Sequence, residues 1–170
     1  MMDKGSATNA AERRDADAPG DRLLGHVVAC SGARATIAAI IESGTTDLTE
    51  RWSVGRLISI SVGRNRVVAL VDSMQTDNKA WAQGVDNVFR VEVELLGEVA
   101  VDENGGESFS TGISTYPHLG AIAHRIRKAD LKLIYKNRNG ESCVIGKLSQ
   151  DNSIDASVHV PSMLSKHFAI

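Results

Sequence analysis

The chain has 170 residues, of which 42% are hydrophobic and 24% charged, a composition typical of a folded domain with polar extensions. Its formal net charge is −2 and only 4% of its residues are aromatic. These values argue against a strongly basic nucleic-acid-binding protein and against a surface built for base stacking.

The first twenty residues differ in composition from the rest of the chain. Met1–Gly20 is rich in Ala, Asp, Arg, Ser and Gly and has no hydrophobic period, which predicts a disordered tail. It also lacks the apolar centre of a signal peptide. Because no apolar run approaches the roughly 18 residues of a membrane span, we expect a cytoplasmic protein.

From Leu23 onward, short runs of β-branched residues recur, each ended by turn residues. Apolar and polar residues alternate in Leu57–Val62 and in Arg90–Leu95, which is typical of strands with one buried face. The predicted strands are Leu24–Cys30, Ala35–Ile41, Leu57–Val62, Arg66–Asp72 and Phe89–Val101.

Many short strands at near-regular spacing indicate a small closed barrel or a sandwich, and therefore a mainly β fold. Gly25, Gly55 and Gly97 stand at strand starts or bends, where a tightly curved barrel needs residues without side chains. Asn104–Gly106 is predicted to be a hairpin turn.

The segment Ala121–Lys136 fits both a helical stripe and strand alternation. We favour a strand through Ile126 followed by one or two helical turns. The remaining predicted features are a turn at Asn137–Gly140, strands at Ser142–Leu148 and Ile154–Val160, a break at Pro161, a helical turn near Met163–Ser165 and a final strand at Phe168–Ile170.

Side chains that carry chemistry form no recognisable motif. No two histidines have the i, i+4 spacing of a helical metal site, and Cys30 and Cys143 are predicted to be reduced thiols packed in strands. The five histidines are His26, His118, His124, His159 and His167. Nucleophile-elbow, C-x-x-C, H-E-x-x-H and G-x-G-x-x-G patterns are absent from the sequence, so we assign no catalytic, cofactor-binding or metal-binding residue.

Charged residues are interpreted as surface features. The basic cluster Arg125–Lys128 is interpreted as a solvated strand edge that discourages aggregation, with a contact to a partner as the alternative. Glu92 and Glu94 are expected to share one exposed polar face of their strand.

Seven sequence segments, taken together in their order and spacing, resemble the N-terminal part of HerA-type DNA translocases, which are hexameric ATPases of the HerA–FtsK group. They are Leu24–Val28, Trp52–Ile58, Val91–Val99, Phe109–Ser114, Tyr116–Ala121, Ile145–Leu148 and Lys166–Ile170. In such proteins the segment that corresponds to Lys166–Ile170 leads directly into a glycine-rich phosphate loop. The resemblance therefore implies a front part of such a protein that ends just before the loop.

The resemblance implies three parts: a disordered tail at 1–20, a HAS β-barrel at 21–135 like that of the ATP-synthase subunits, and a linker with the first strands of a truncated RecA-like α/β ATPase core at 136–170. Strand 154–160 would then be an unpaired strand of a parallel sheet. Because the phosphate loop, the Mg²⁺-binding acidic strand and the trans-acting arginine are absent, no catalytic residue transfers to this chain.

The implied function is assembly and partner docking in a translocase or helicase involved in DNA end processing, repair or phage defence. The implied partners are other copies in a hexameric ring, a nuclease such as NurA or another effector enzyme, and DNA, with ATP and Mg²⁺ bound by the full-length protein. The alternative is a free-standing oligonucleotide-binding β-barrel, which should show a basic groove and exposed aromatic residues.

Overall fold

The structure is a computed structural model that describes residues 22–41, 52–76, 86–136 and 142–161. These residues include nine strands and a seven-residue helix. In chain order they are β1 Leu23–Cys30, β2 Arg34–Ile41, β3 Leu57–Val62, β4 Asn65–Thr76, β5 Asn87–Val101, β6 Glu107–Ser110, β7 Ile122–Arg125, α1 Lys128–Ile134, β8 Ser142–Lys147 and β9 Asp155–His159. Within the described ranges, no helix has the length and apolar character needed to cross a membrane.

Six antiparallel strands close into a barrel. Its strands follow the order β2-β1-β7-β3-β4-β5, and β5 pairs with β2 to complete the circle. The closing contact runs from Arg34 opposite Glu94 to Ile41 opposite Asn87. β6 pairs with the second half of β5, outside the circle. The predicted mainly β fold with a closed barrel is therefore confirmed.

Alternation along the strands produces the barrel core. On β3, Ile58 and Ile60 point inward, as do Val91 and Val93 on β5, and all four are buried. Each such side chain contributes roughly 1.5–3 kcal/mol when it leaves water. The inner core consists of Leu24, Val27, Ala35, Ile37, Ala39, Trp52, Ile58, Ile60, Val62, Val67, Ala69, Val71, Val91, Val93, Leu95, Ala121 and Ala123.

A second core lies outside one wall of the barrel. Leu57 of β3 and Val68 of β4 face outward and are buried, because α1 and the segment before β9 cover them with Leu131 and Ile154. Val99 of β5 belongs to the same cluster. The wall formed by β3, β4 and the second half of β5 is thus buried on both faces.

Most predicted strands agree with the structure within two residues, and two differences are instructive. β4 continues to Thr76, because backbone pairing with β5 (Thr76 opposite Phe89) extends it beyond the apolar pattern. β6 was not predicted, because it has only four residues and three of them are polar. The predicted hairpin turn at Asn104–Gly106 is confirmed and joins β5 to β6.

The ambiguous segment Ala121–Lys136 contains a strand, β7, followed by the helix α1, as predicted. β8 and β9 form the strands predicted there, but β9 is not unpaired: it runs antiparallel to β8, with Cys143 opposite Val158. The predictions for 1–20, 137–140 and 162–170 lie outside the described residues. The division of the chain at 135 and 136 stays a prediction.

The prediction that both cysteines are packed is wrong. Cys30 and Cys143 are free thiols, as expected, but both are exposed. Cys30 is the last residue of β1, beyond a register shift between Val27 and Ala29. Cys143 lies on β8, where all six side chains are exposed; among the described residues this sheet has only two strands, β8 and β9.

Two of the predicted corner glycines are required by close contacts. A β-carbon at Gly25 would overlap the carbonyl oxygen of Ala38 on β2, and one at Gly97 would overlap that of Ser110 on β6. Each glycine adjoins a register shift in its strand pairing. The absence of a side chain therefore lets neighbouring strands approach where the barrel bends.

We expect Gly25→Ala and Gly97→Ala each to lower the free energy of unfolding by roughly 1–3 kcal/mol, because the new methyl group forces backbone to move. Urea unfolding followed by circular dichroism measures the loss. Gly32→Ala is the control, since its β-carbon would meet nothing within 4 Å. Equal stabilities of Gly25→Ala and Gly32→Ala would contradict the close-contact explanation.

Candidate functional site

Four charged side chains from separate parts of the chain meet outside the barrel. Arg66 of β4 and Arg127, which precedes α1, both bind the carboxylate of Asp130 on α1 through two hydrogen bonds. The Nη2-to-Oδ1 distances are 3.0 Å from Arg66 and 2.7 Å from Arg127. Such bidentate pairs fix both the position and the orientation of the guanidinium groups.

Glu107 of β6 completes this arrangement, which we call the ion-pair cluster. Its Oε1 accepts hydrogen bonds from Nη2 of Arg66 at 2.8 Å and from Nη2 of Arg127 at 2.9 Å. Two positive and two negative side chains therefore alternate, and the net charge of the cluster is zero. Asp130 is fully buried, so its charge depends entirely on these partners.

The local sequence explains how Asp130 reaches the cluster. Arg127 is the N-cap of α1 and has extended backbone angles, with φ −76° and ψ 146°. Asp130 follows in the first helical turn, where the helix dipole favours an acidic side chain. The two residues are three positions apart in the sequence, which places Arg127 and Asp130 on the same side of the helix start.

The ion-pair cluster is fully charged at neutral pH. Burial alone would raise the pKa of Asp130, but hydrogen bonds from Arg127 and Arg66 and their positive charges outweigh burial and hold that pKa below its usual range. The hydrogen bond from Arg127 likewise lowers the pKa of Glu107. Both carboxyls are therefore negatively charged near neutrality and remain paired with the two arginines.

The interpretation of Arg125–Lys128 as a solvated edge is wrong for Arg127. This residue is held by Glu107 and Asp130 instead of facing solvent at a strand edge. The spacing of Arg127 and Asp130 is visible in the sequence, but Arg66 and Glu107 are 64 and 20 residues from their partners in the cluster. No local pattern connects them.

A second buried carboxylate holds the segment between β6 and β7. Glu98 of β5 accepts hydrogen bonds from the backbone nitrogen of Ser114 at 2.6 Å, from the Ser114 hydroxyl and from the Asn65 amide. Burial raises the pKa of Glu98, but these hydrogen bonds outweigh burial, and the pKa is lowered. The loop that carries exposed Tyr116 and Leu119 is thus fastened at its start.

The hairpin of β8 and β9 is fastened to the barrel through Gln150. The Gln150 side-chain oxygen accepts a hydrogen bond from the Leu57 backbone nitrogen at 2.9 Å, and its amide donates to the Leu57 carbonyl at 2.8 Å. The amide group therefore pairs with the first residue of β3 as a neighbouring strand would. Ile154 packs in the second core, outside β3 and β4, and together with Gln150 it fixes the hairpin beside β3.

One hydroxyl and one imidazole lie opposite each other across β3 and β7. Ser59 Oγ and His124 Nδ1 are buried, and neither has a hydrogen-bond partner within the described part of the chain. Burial, and then the positive charge of Arg22, lower the pKa of His124. The hydrogen bond that would activate a nucleophilic serine is therefore not formed between Ser59 and His124 in this structure.

A shallow groove lies on the outer face of the opposite wall, where β1, β2, β4 and β5 meet. We call it the β1–β2 groove, and its volume is about 400 Å³. Its lining residues are Val28, Ala29, Thr36, Ala38, Gln75, Val88, Arg90 and Glu92. As predicted, Glu92 and Glu94 share a face of β5, but Glu92 is half-buried and accepts a hydrogen bond from Thr36 at 2.9 Å.

Among residues 22–41, 52–76, 86–136 and 142–161, no group of three His, Cys, Asp or Glu side chains is placed to hold a metal ion. Comparison of the chain with protein-family models and with curated proteins finds no match. The features that bear on function are therefore the barrel, the contacts that hold its accessory elements and the exposed surfaces of the described residues.

Removing the charge of Asp130 tests the ion-pair cluster. We expect Asp130→Asn to lower the free energy of unfolding by about 3 kcal/mol or more at pH 7, because it leaves two arginines with one carboxylate. Asp155→Asn is the control, since Asp155 forms an exposed pair with Lys147 and should change stability by less than about 1 kcal/mol.

The difference between wild type and Asp130→Asn should depend on pH. Because the folded-state pKa of Asp130 is depressed, its contribution is complete above its unfolded pKa of about 3.9 and is lost as pH falls through the folded value. Denaturant unfolding from pH 7 to pH 2 should show a constant difference that narrows in acid. A difference that widens in acid would contradict this assignment.

Proposed function

We propose that this chain is a non-catalytic barrel for assembly and partner docking, the N-terminal part of a HerA-like DNA-translocating ATPase. The observation that supports the proposal most strongly is the closure of six antiparallel strands by β2 and β5. A closed sheet has no free edges within its circle and resists deformation. Such a body is suited to serve as a collar on a ring.

The contacts around the barrel also support a role as a platform on which partners dock. The ion-pair cluster fastens α1, Glu98 fastens the loop before β7, and Gln150 fastens the β8–β9 hairpin. Each of these contacts uses hydrogen bonds to position an accessory element. The pKa values of the two carboxyls involved, Asp130 and Glu98, are held below their usual range. This arrangement holds the surfaces of the barrel in fixed positions.

In this proposal, ATP and Mg²⁺ belong to an ATPase core that follows the barrel, and the β8–β9 hairpin lies between the barrel and that core. The side chains of the described ranges do not offer a metal-binding group, so we assign them no step in hydrolysis. The proposed partners are further copies of the chain and an effector enzyme such as a nuclease. DNA would be engaged by the full-length protein.

The gene region that follows Ile170 tests the proposal. We expect the reading frame to continue directly into a G-x-x-x-x-G-K-S/T phosphate loop, and the longer product to hydrolyse ATP with stimulation by DNA. Residues 1–170 alone should release no phosphate above the buffer control. A continuation without that loop, or turnover by residues 1–170, would exclude the HerA-like assignment.

The charge arrangement also predicts weak DNA binding. Because Arg66 and Arg127 are neutralised within the ion-pair cluster, single- and double-stranded oligonucleotides should bind residues 1–170 no more tightly than about 1 µM at physiological salt. Fluorescence anisotropy at several salt concentrations measures this affinity. Binding well below 1 µM would instead favour the oligonucleotide-binding barrel.

A variant inside the ion-pair cluster provides a control for that titration. Arg127→Ala should reduce the free energy of unfolding and leave the salt dependence of DNA binding unchanged, because Glu107 and Asp130 already hold the Arg127 charge. A smaller slope of log affinity against log salt in this variant would show that Arg127 contacts phosphate instead.

A further inference from the structure

The hairpin turn between β5 and β6 contains Asn104 followed by Gly105, and both residues are exposed. The turn is built around Asp102. Its backbone nitrogen donates to the Gly106 carbonyl at 2.9 Å, and its Oδ1 accepts hydrogen bonds from the backbone nitrogens of Asn104 at 2.9 Å and Gly106 at 2.7 Å. These contacts hold the backbone on both sides of the Asn104–Gly105 peptide bond in a defined position.

The side chain of Asn104 is not held by these contacts. Its backbone nitrogen binds Asp102, but within the described part of the chain its side-chain amide has no hydrogen-bond partner. The amide is therefore able to rotate toward the following residue. Because both groups belong to the same short stretch of backbone, a reaction between them gains from proximity and needs no second protein group.

The residue after Asn104 offers an accessible backbone nitrogen. Gly105 has a φ of +81°, which is typical of glycine, and a β-carbon built on it would meet nothing within 4 Å. Its N–H donates to the Asp102 carbonyl at 3.2 Å, which is at the long end of the range for such bonds. The Gly105 nitrogen is thus weakly held and uncrowded.

We propose that Asn104 is a site of spontaneous covalent modification in the folded protein, with water as the co-reactant. The Gly105 nitrogen attacks the side-chain carbonyl carbon of Asn104. The new N–C bond closes a succinimide ring, the bond from that carbon to the side-chain nitrogen breaks, and this nitrogen leaves as ammonia with the proton of the Gly105 N–H. Water then opens the ring at either carbonyl carbon, which gives aspartate or isoaspartate without any change of oxidation state.

The other asparagines of the described ranges lack this combination of features. The Asn65 amide is hydrogen-bonded at both its nitrogen and its oxygen, and Asn87 is only 2% exposed. Asn152 is exposed, but it precedes Ser153, whose side chain crowds the backbone nitrogen and whose N–H donates to a carboxylate oxygen at 2.8 Å. Asn152 is therefore the matched comparison for Asn104.

The modification would alter the hairpin that carries Glu107 of the ion-pair cluster. Isoaspartate routes the main chain through the former side chain and so lengthens the turn, and both products add a negative charge beside Asp102 and Glu103. A longer turn cannot keep both hydrogen bonds to Asp102 Oδ1 in their present geometry. We therefore expect isoaspartate at this position to loosen the start of β6.

Incubation of residues 1–170 at neutral pH, followed by trypsin digestion and mass spectrometry, tests the proposal. The mass change for replacement of NH₂ by OH should appear at Asn104 about tenfold faster than at Asn152, or more. Cleavage after Lys and Arg places Asn104, Asn139 and Asn152 in three different peptides, so the second Asn-Gly pair, which lies outside the described residues, is measured separately. A digest at zero time corrects for modification during digestion.

Two variants and an enzymatic probe identify the reaction. Isoaspartyl methyltransferase with labelled S-adenosylmethionine should label the wild-type Asn104 peptide, and Asn104→Gln should abolish that label without changing the rate at Asn152. Gly105→Ala places a methyl group beside the attacking nitrogen and should slow the reaction by about tenfold. Because the positive φ makes alanine strained there, circular dichroism melting checks that this variant is folded, and Asn104→Gln keeps the test decisive if it is not.

The inference is overturned if Asn104 is modified no faster than Asn152, or if it is modified only after the protein is unfolded in denaturant. Formation of aspartate without isoaspartate would also contradict it, since direct hydrolysis would then replace ring closure. An unchanged rate in folded Gly105→Ala would exclude attack by this nitrogen. These outcomes are independent of the proposed function, which depends on the phosphate loop and ATP hydrolysis of the longer product.

Discussion

Closure of the barrel by β2 and β5 is the constraint on which the remaining structure depends. β5 has 15 residues, and its first half pairs with β2 while its second half pairs with β6. Without the closing contact, β2 and β5 would be open edges, and the inner core would face water. The continuation of β5 beyond the circle carries β6, which brings Glu107 to the outer wall.

Buried charge then determines where the accessory elements lie. Asp130 can be buried only where both Arg66 and Arg127 reach it, so the ion-pair cluster permits one position of α1 relative to β4 and β6. Replacing such a cluster by apolar residues often costs a protein little stability, whereas removing one member is expensive. We therefore attribute to this cluster the choice of a unique arrangement more than net stabilisation.

The two walls of the barrel differ in how the described residues cover them. α1 and the segment before β9 bury the outer faces of β3 and β4, while the outer faces of β1 and β2 carry the exposed apolar side chains Val28 and Ile40. On the hairpin beside the first wall, Val144 and Ile145 of β8 are exposed. The described part of the barrel therefore has two chemically different sides.

The sequence by itself determined the strands, the helix after β7, the barrel class and the corner glycines, because alternation and turn residues act over a few neighbouring positions. It did not determine β6, the pairing of β9 or the exposure of the cysteines. Arg127 was misassigned for the same reason: its partner Glu107, and Arg66, which binds the same two carboxylates, come from distant strands. Only tertiary structure decides such contacts, since they depend on which strands closure brings together.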